Sequence, residues 1–304
     1  MSTKVLFVGG YGRSGSTLLD RMLGQVEGVC SVGELRHVFR EGYIENRLCG
    51  CGSRFRSCPF WREVTRDAFG EIDRFDAWEL LGAKERVDRW WRLPQLAWRL
   101  GSPARRADLA RYRDGLGRLY AAIAAVSGAD VIVDSSKDVS HGYVLRGITE
   151  PVETYVLHLV RDSRAVAHSW RRRKFNPGSG GDMQRYSLLR TSAEWTVINA
   201  LTTLHGRIDP RYALLRYADL AADPRAAVEG VLELLGEGHR RPPFRAPDTV
   251  VLGADHTAAG NPVRFHRGEL RVHPDEEWRR RMPTQGRALV TALTLPALVR
   301  YGCV

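Results

Sequence analysis

GGYGRSGSTLLDRML, residues 9–23, follows the short apolar run KVLFV (4–8). An apolar run, a turn rich in glycine and then apolar positions at helical spacing predict a strand, a tight turn and a helix. Such a turn aims backbone N–H groups and a helix N-terminus at one spot, which makes an anion site. A nucleotide-triphosphate loop of this type runs Gly, four residues, Gly, Lys, then Ser or Thr. Gly10 and Gly15 keep that spacing and Thr17 is present, but Ser16 stands where the lysine belongs. The nearest cation is Arg13, inside the turn. The loop reads as a phosphate cradle, with hydroxyls from Ser14, Ser16 and Thr17, that lacks the usual contact to a γ-phosphate. A plain tight turn is the bland alternative for this stretch taken alone.

Outward from this unit the same rhythm repeats. VCSVGE (29–34), DVIVDSS (130–136), TYVLHLV (154–160) and YALLRY (212–217) read as strands, DVIVDSS and TYVLHLV continuous enough to be buried on both faces. Helical patterns at 108–126, 163–172, 187–205 and 224–236 separate them, the last opened by Asp223 as N-cap and Pro224 at the first position. Strands alternating with helices predict an α/β fold, a P-loop-like central parallel sheet flanked by helices. Residues 60–128 carry a helical insertion or cap within one domain, 1–304. Its part 60–102 holds Trp61, Trp78, Trp90, Trp91 and Trp98, which serve either packing or a wall for an apolar acceptor. KFNPGSGGDMQ (174–184) is a candidate lid.

The chain has 304 residues, 43% hydrophobic and 27% charged, as in a globular protein. No apolar run reaches the ~20 residues that span a bilayer, and the N-terminus leads into a strand rather than a signal peptide, so a cytoplasmic location is expected. The net charge of +11 is carried almost wholly by arginine, with lysine only at 4, 84, 137 and 174. Arginine excess follows either from base composition or from an anionic ligand, since its planar fork suits phosphate and sulfate. The RRRK run (171–174) allows a nucleic-acid or anionic-membrane binder, and equally the mouth of a phosphate-rich cofactor site.

A second segment, LVRDSRAVAHSW (159–170), places Arg161 at a strand end and Ser169 two turns into the next helix, eight residues on, with Asp162 or Ser163 as its cap. Both can reach a second phosphate beside the first, although Arg161 alone could be a structural ion-pair partner. Together YGRSGSTLL and VRDSRAVAHS resemble the sulfotransferase family that uses 3′-phosphoadenosine 5′-phosphosulfate (PAPS). VGEL (32–35), LCGCGSRFRSCPFW (48–61), VDSSKD (133–138), LLRYADLAADP (214–224), GNPVRF (260–265) and DEEWRR (275–280) are similar to segments of its bacterial, Golgi-like or tyrosylprotein-like branch. The likeness is weakest in 62–128, where acceptor-specific helices belong.

The resemblance implies roles. Gly12, Arg13, Ser14, Gly15, Ser16 and Thr17 hold the 5′-phosphosulfate, with Arg13 at the leaving oxygen. Arg161 and Ser169 bind the 3′-phosphate, and Arg264 closes over that phosphate or the adenine. Lys137 reaches the transferring sulfuryl oxygens, unless it merely pairs with Asp134 or Asp138. Glu34 is the general base for an acceptor hydroxyl, with a helix-capping glutamate as the bland alternative and His141 as competing base. The reaction is in-line transfer to a hydroxyl of a secondary metabolite, glycolipid or lipid alcohol, leaving adenosine 3′,5′-bisphosphate (PAP). No nucleic acid is implied, no metal is required for the transfer, and peripheral membrane contact follows only if the acceptor is a lipid. A P-loop small-molecule kinase or other nucleotide-binding enzyme is the runner-up, against which Ser16 in the lysine position counts.

Cys49, Cys51 and Cys58 form C-x-C-x6-C. Zinc sites favour C-x2–4-C pairs and need a fourth ligand, for which His37 is the nearest candidate. A disulfide or buried thiols is the favoured reading, with a metal site as the alternative.

Overall fold

The apolar runs assemble into a five-stranded parallel sheet, in a computed structural model that describes residues 3–98, 100–148 and 152–304, with the backbone alone at Trp98. β1 (Thr3–Gly9) leads through α1 (Ser16–Leu23) to β2 (Val29–Gly33). Then come α2 (Pro59–Phe69), α3 (Ala77–Val87), α4 (Leu93–Trp98) and α5 (Pro103–Ser127). β3 (Val131–Lys137), α6 (Val139–Leu145), β4 (Val152–Val160) and α7 (Ser163–Arg171) follow. A two-rung hairpin, β5 (Phe175–Asn176) with β6 (Gly181–Asp182), precedes α8 (Leu188–Gly206), β7 (Tyr212–Arg216), α9 (Tyr217–Ala222) and α10 (Pro224–Leu234). The chain ends through β8 (Phe244–Ala246), β9 (Thr249–Leu252), β10 (Gly268–Arg271), α11 (Glu277–Arg281) and α12 (Thr284–Arg300).

The sheet order is β2-β3-β1-β4-β7. β1 needs apolar side chains on both faces because it sits in the middle, and its alternation divides them. Val5 and Phe7 join Ile132 and Val156 in a core closed by α2, α3, α5 and α6. Leu6 and Val8 join Val131, Val133, Leu157 and Leu159 in a second core closed by α1 and α10. The connection from β1 runs toward β2 on one side and that from β4 toward β7 on the other. Their C-terminal ends therefore open a crevice, the place where a doubly wound sheet takes ligands.

Three differences from the sequence reading have physical reasons. β8, β9 and β10 form a small antiparallel sheet that the sequence did not suggest, because strands of three or four residues carry too little alternation to read. The 60–128 stretch is not an insertion throughout, since α5 packs on β1, β3 and β4 and forms part of the layer under the sheet. The tryptophans divide: Trp61 is fully buried in the first core, whereas Trp78, Trp90 and Trp91 are exposed. The side chain of Trp98 lies outside the described residues. Among the described residues no helix is long and apolar enough to cross a membrane.

Candidate active site

The first turn holds its shape through unusual backbone angles. Arg13 has φ 70° and Gly15 φ 94°, and Gly10 donates its amide to Lys137 O (3.2 Å) at the end of β3. Glycine is required at two points by close neighbours: a Cβ on Gly12 would meet Trp170 at 2.9 Å, and one on Gly15 would meet Tyr217 at 2.7 Å. α1 starts directly at Ser16, so its first turn supplies amides that have no carbonyl partner within the helix.

A cavity of about 420 Å³ opens above this turn. Gly12, Arg13, Gly15, Ser16 and Thr17 form its floor, and Arg161, Ser169 and Tyr217 one side. Arg172, Arg173 and Lys174 stand at its wall, so the basic run belongs to this mouth, with Met183 of the 174–184 hairpin beside it. Ser14 is placed differently from the expectation: its hydroxyl donates to Tyr11 O (2.7 Å) inside the turn and does not line the cavity.

The two arginines are mounted rather than free. The Arg13 guanidinium lies 4.7 Å over the Trp170 ring and Nη2 contacts Met183 Sδ at 3.3 Å. The Arg161 guanidinium lies 4.3 Å over Tyr217, donates from Nη2 to Asp275 Oδ2 (2.9 Å) and from Nη1 to Arg13 O (3.2 Å). In each, Nε is a buried donor without a hydrogen-bond partner. Burial lowers the Arg13 pKa from its ordinary value, and burial and then Arg13 and Arg172 lower that of Lys174. Such crowding of positive charge is relieved by an anion.

Glu34 follows β2 directly, and Lys137 closes β3 with φ 66°, a conformation rare outside glycine. Their side chains form an ion pair between Lys137 Nζ and Glu34 Oε1. Burial pushes the Glu34 carboxyl up, but Lys137, His37 and Arg264 outweigh it and hold the pKa below the ordinary value. His37 Nε2 lies 3.9 Å from Glu34 Oε2, and burial brings the His37 pKa down to about 4 against the pull of Glu34. The backbone is fixed as well: Glu34 N donates to Ala259 O (3.1 Å), Arg36 N to Ser136 Oγ (2.9 Å), and Arg36 Nε to Asp88 Oδ2 (2.8 Å).

A second cavity of about 520 Å³ adjoins the first. Trp90, Tyr186, Val197 and Ile198 give it an apolar, aromatic wall, with His37 and Glu194 as polar points. Gly12, Glu34, Lys137 and Trp170 line both cavities. The carboxylate and the ammonium thus stand on the partition between a cationic chamber and an aromatic one.

Three candidates fall elsewhere. His141 is fully buried, with Nε2 3.1 Å from Asp134 Oδ2 and Nδ1 3.9 Å from Asp88 Oδ2, and lines neither cavity. Arg264 is 3% exposed and donates to Thr257 O (2.8 Å) and Leu48 O (2.6 Å). The 3-10 turn at Pro262–Phe265 sends Val263 to the cavity and Arg264 inward. His37, expected beside the cysteines, lies instead at Glu34, and the histidine that meets the cysteines is His256. Sequence reasoning missed Trp170, Tyr217 and Asp275. Trp170 follows Ser169 directly and Tyr217 follows β7, but nothing local marks either of them, or Asp275, as lining the site.

This sheet edge defines a P-loop-like α/β protein with an anion cradle and an adjoining second chamber. The chain belongs to the sulfotransferase family, whose sequence model matches residues 6–240. Among solved structures, the sulfotransferase domain of the Synechococcus PCC 7002 olefin synthase aligns over 97% of this chain and 94% of its own, at 19% identity and a TM-score of 0.50. The sulfotransferase domain of the curacin biosynthetic pathway aligns over 97% and 98%, at 15% identity and a TM-score of 0.47. Identities this low express likeness of fold. No curated protein sequence matches the chain significantly.

Proposed function

We propose that this protein moves a sulfuryl group from PAPS to a hydroxyl of a small, partly aromatic or apolar acceptor. The observation that carries the reading is the shared partition: Glu34 and Lys137 line both the cationic and the aromatic cavity. The donor fits the first chamber on the chemistry of its walls. Buried arginine Nε donors without partners, unpaired helix amides and three further cations suit a ligand with phosphate at two positions. The turn from Gly12 to Thr17 would hold the 5′-phosphosulfate, and Arg161 with Ser169 the 3′-phosphate. Bound there, PAPS supplies an electrophilic sulfur and a phosphate leaving group.

The chain's own residues divide the work. Arg13 offsets negative charge on the phosphate oxygen as the sulfur–oxygen bond breaks, a fixed charge of the sort that dominates such catalysis. Lys137, paired with Glu34 at rest, turns its ammonium to the sulfuryl oxygens. Burial raises the Glu34 pKa and Lys137 is the partner that lowers it most, so the carboxylate becomes a stronger base as the donor seats. Glu34 takes the acceptor's proton as the new sulfur–oxygen bond forms. His37, whose pKa burial lowers to about 4, stands 3.9 Å from the second carboxylate oxygen. We read 1–304 as a single sulfotransferase domain in which 60–98 supplies the acceptor side, because Trp90 reaches the second cavity from there.

The test is thermal stabilisation by PAP set against ATP with Mg²⁺. PAP is expected to raise the melting temperature and ATP to do so weakly. Stabilisation by ATP and not by PAP would overturn the reading in favour of a kinase-like nucleotide enzyme.

A further inference from the structure

Cys49, Cys51 and Cys58 meet His256 at one point, although 198 residues separate Cys58 from the histidine. Cys58 Sγ lies 3.3 Å and Cys49 Sγ 3.8 Å from His256 Nδ1, Cys51 Sγ lies 3.7 Å from Cys58 Sγ, and all four atoms fall within 4.8 Å of one another. The cysteines are free thiols, so of the favoured pair of readings, a disulfide or buried thiols, the disulfide does not describe them. Two sulfurs converging on a single Nδ1 exceed what one in-plane lone pair can accept as hydrogen bonds. A cation between them accounts for the convergence. With Zn–S near 2.3 Å and Zn–N near 2.0–2.1 Å, tetrahedral zinc sets ligand-to-ligand edges of roughly 3.5–3.8 Å. The Cys51–Cys58 separation of 3.7 Å and the Cys49–His256 separation of 3.8 Å fall in that range, and the Cys58–His256 separation of 3.3 Å lies just below it.

We propose that Cys49, Cys51, Cys58 and His256 form a structural Cys3His zinc site. Three thiolates and one imidazole are a donor set that selects zinc in tetrahedral geometry. All four positions come from the protein, so none is open to substrate, and the site lies outside the transfer chemistry proposed above.

The surroundings are built for it. The ligand loop is a short hairpin, closed by the Leu48–Arg54 bridge, by Cys49 N donating to Ser53 O (2.8 Å) and by Gly52 N donating to Cys49 O (2.8 Å). Gly50 between the first two cysteines has no room for a side chain, since a Cβ would lie 2.2 Å from Asp255 Oδ1. The imidazole is stacked on Phe60 at 4.6 Å and 11°, and Trp61 Nε1 donates to His256 O (2.9 Å). Arg264 and Arg267 donate to Leu48 O (2.6 Å) and Cys51 O (2.7 Å), placing positive charge beside a centre that would carry a net negative one. The site would tie the 48–58 hairpin to 255–259, the segment that bonds Val32 O and Glu34 N. The metal therefore holds the platform of the catalytic carboxylate without touching it.

The full chain, purified without chelator or metal-affinity steps, is assayed for metal by inductively coupled plasma mass spectrometry, and again after titration with zinc. Roughly one zinc per chain is expected, with the three thiols unreactive until a chelator removes it. His256→Ala and Cys51→Ser should lower the zinc content to near zero, while His256→Cys, with four ligands again, retains it. Cobalt replacement should give the intense visible bands of a tetrahedral thiolate complex, absent in His256→Ala. If His256→Ala fails to fold but His256→Cys folds with metal, the site is equally supported. A folded wild-type protein that takes up neither zinc nor cobalt, or one with two of the three cysteines disulfide-bonded, overturns the proposal, as does a His256→Ala protein that keeps full metal content.

Discussion

The cationic cavity has its floor in one backbone turn, Gly12–Thr17, ringed by side chains from as far on as Asp275, whereas the aromatic cavity is walled chiefly by side chains such as Trp90, Tyr186 and Ile198. In the first, the essential shape is backbone: positive φ at Arg13 and Gly15, and a helix that begins at Ser16. In the second, the shape is side chain against side chain. A floor of backbone amides with cationic side chains around it suits anionic oxygen. A chamber made of separate side chains can be remodelled by single substitutions without disturbing the sheet. The contrast suits one invariant donor and one variable acceptor, and it can be broken at the partition or on either side.

The largest effect is expected at the partition. Glu34→Gln keeps the shape and removes the proposed base, so turnover should fall by about 10²–10⁴-fold while stabilisation by PAP persists. Steady-state rates and thermal shifts on the same preparation check both. An unchanged rate would mean that Glu34 is not the base. Arg13→Ala comes next. Arg13 lines the cationic cavity and not the other, so turnover should drop by about 10²–10³-fold with the acceptor KM unchanged. Arg161→Ala removes a charged contact from the proposed 3′-phosphate site, and PAP affinity should weaken by roughly 10–100-fold, the worth of a charge-assisted hydrogen bond, with kcat little affected.

A pH profile sharpens the partition further. Glu34 must be ionised to accept a proton, so the rate falls as pH drops through its pKa, which the structure holds below the ordinary 4.5. Burial alone would raise that pKa, and Lys137 is the principal opposing influence. In Lys137→Ala the acid limb of kcat/KM should therefore move to higher pH. A limb that stays in place would show that the ion pair does not set the basicity of Glu34.

The same contrast decides what the sequence could reveal. The strand, turn and helix around Arg13 were legible because neighbouring residues form them, and Glu34 and Lys137 fall at the expected ends of β2 and β3. Arg264 was misplaced because a single 3-10 turn decides which of Val263 and Arg264 faces the cavity. His141 read as an available base until Asp134 and Asp88, from β3 and from the end of α3, closed around it. The partner of the cysteines was sought at His37, near in sequence, when His256 is near in space. Local chemistry was readable, and whatever depended on distant segments meeting was not. The aromatic chamber belongs to the second kind, so the tryptophans could be counted but not assigned.

Two adjacent tryptophans give the finest test of that chamber. Trp90 and Trp91 are similarly exposed, 47% and 56%, and their rings meet edge to face at 5.7 Å. Trp90 lines the aromatic cavity and Trp91 does not, its ring facing the Arg89 guanidinium at 5.6 Å instead. Trp90→Ala should raise the acceptor KM by about tenfold, equivalent to roughly 1.4 kcal/mol, a modest share of what burying aromatic surface contributes. Trp91→Ala should leave it within experimental error, because its partner cation is on the protein. Neither should alter the PAP shift, since neither lines the cationic cavity. Equal effects of the two substitutions would mean that the indoles act as one exposed patch, and the acceptor would then have to be sought over that surface rather than within the cavity beside Glu34.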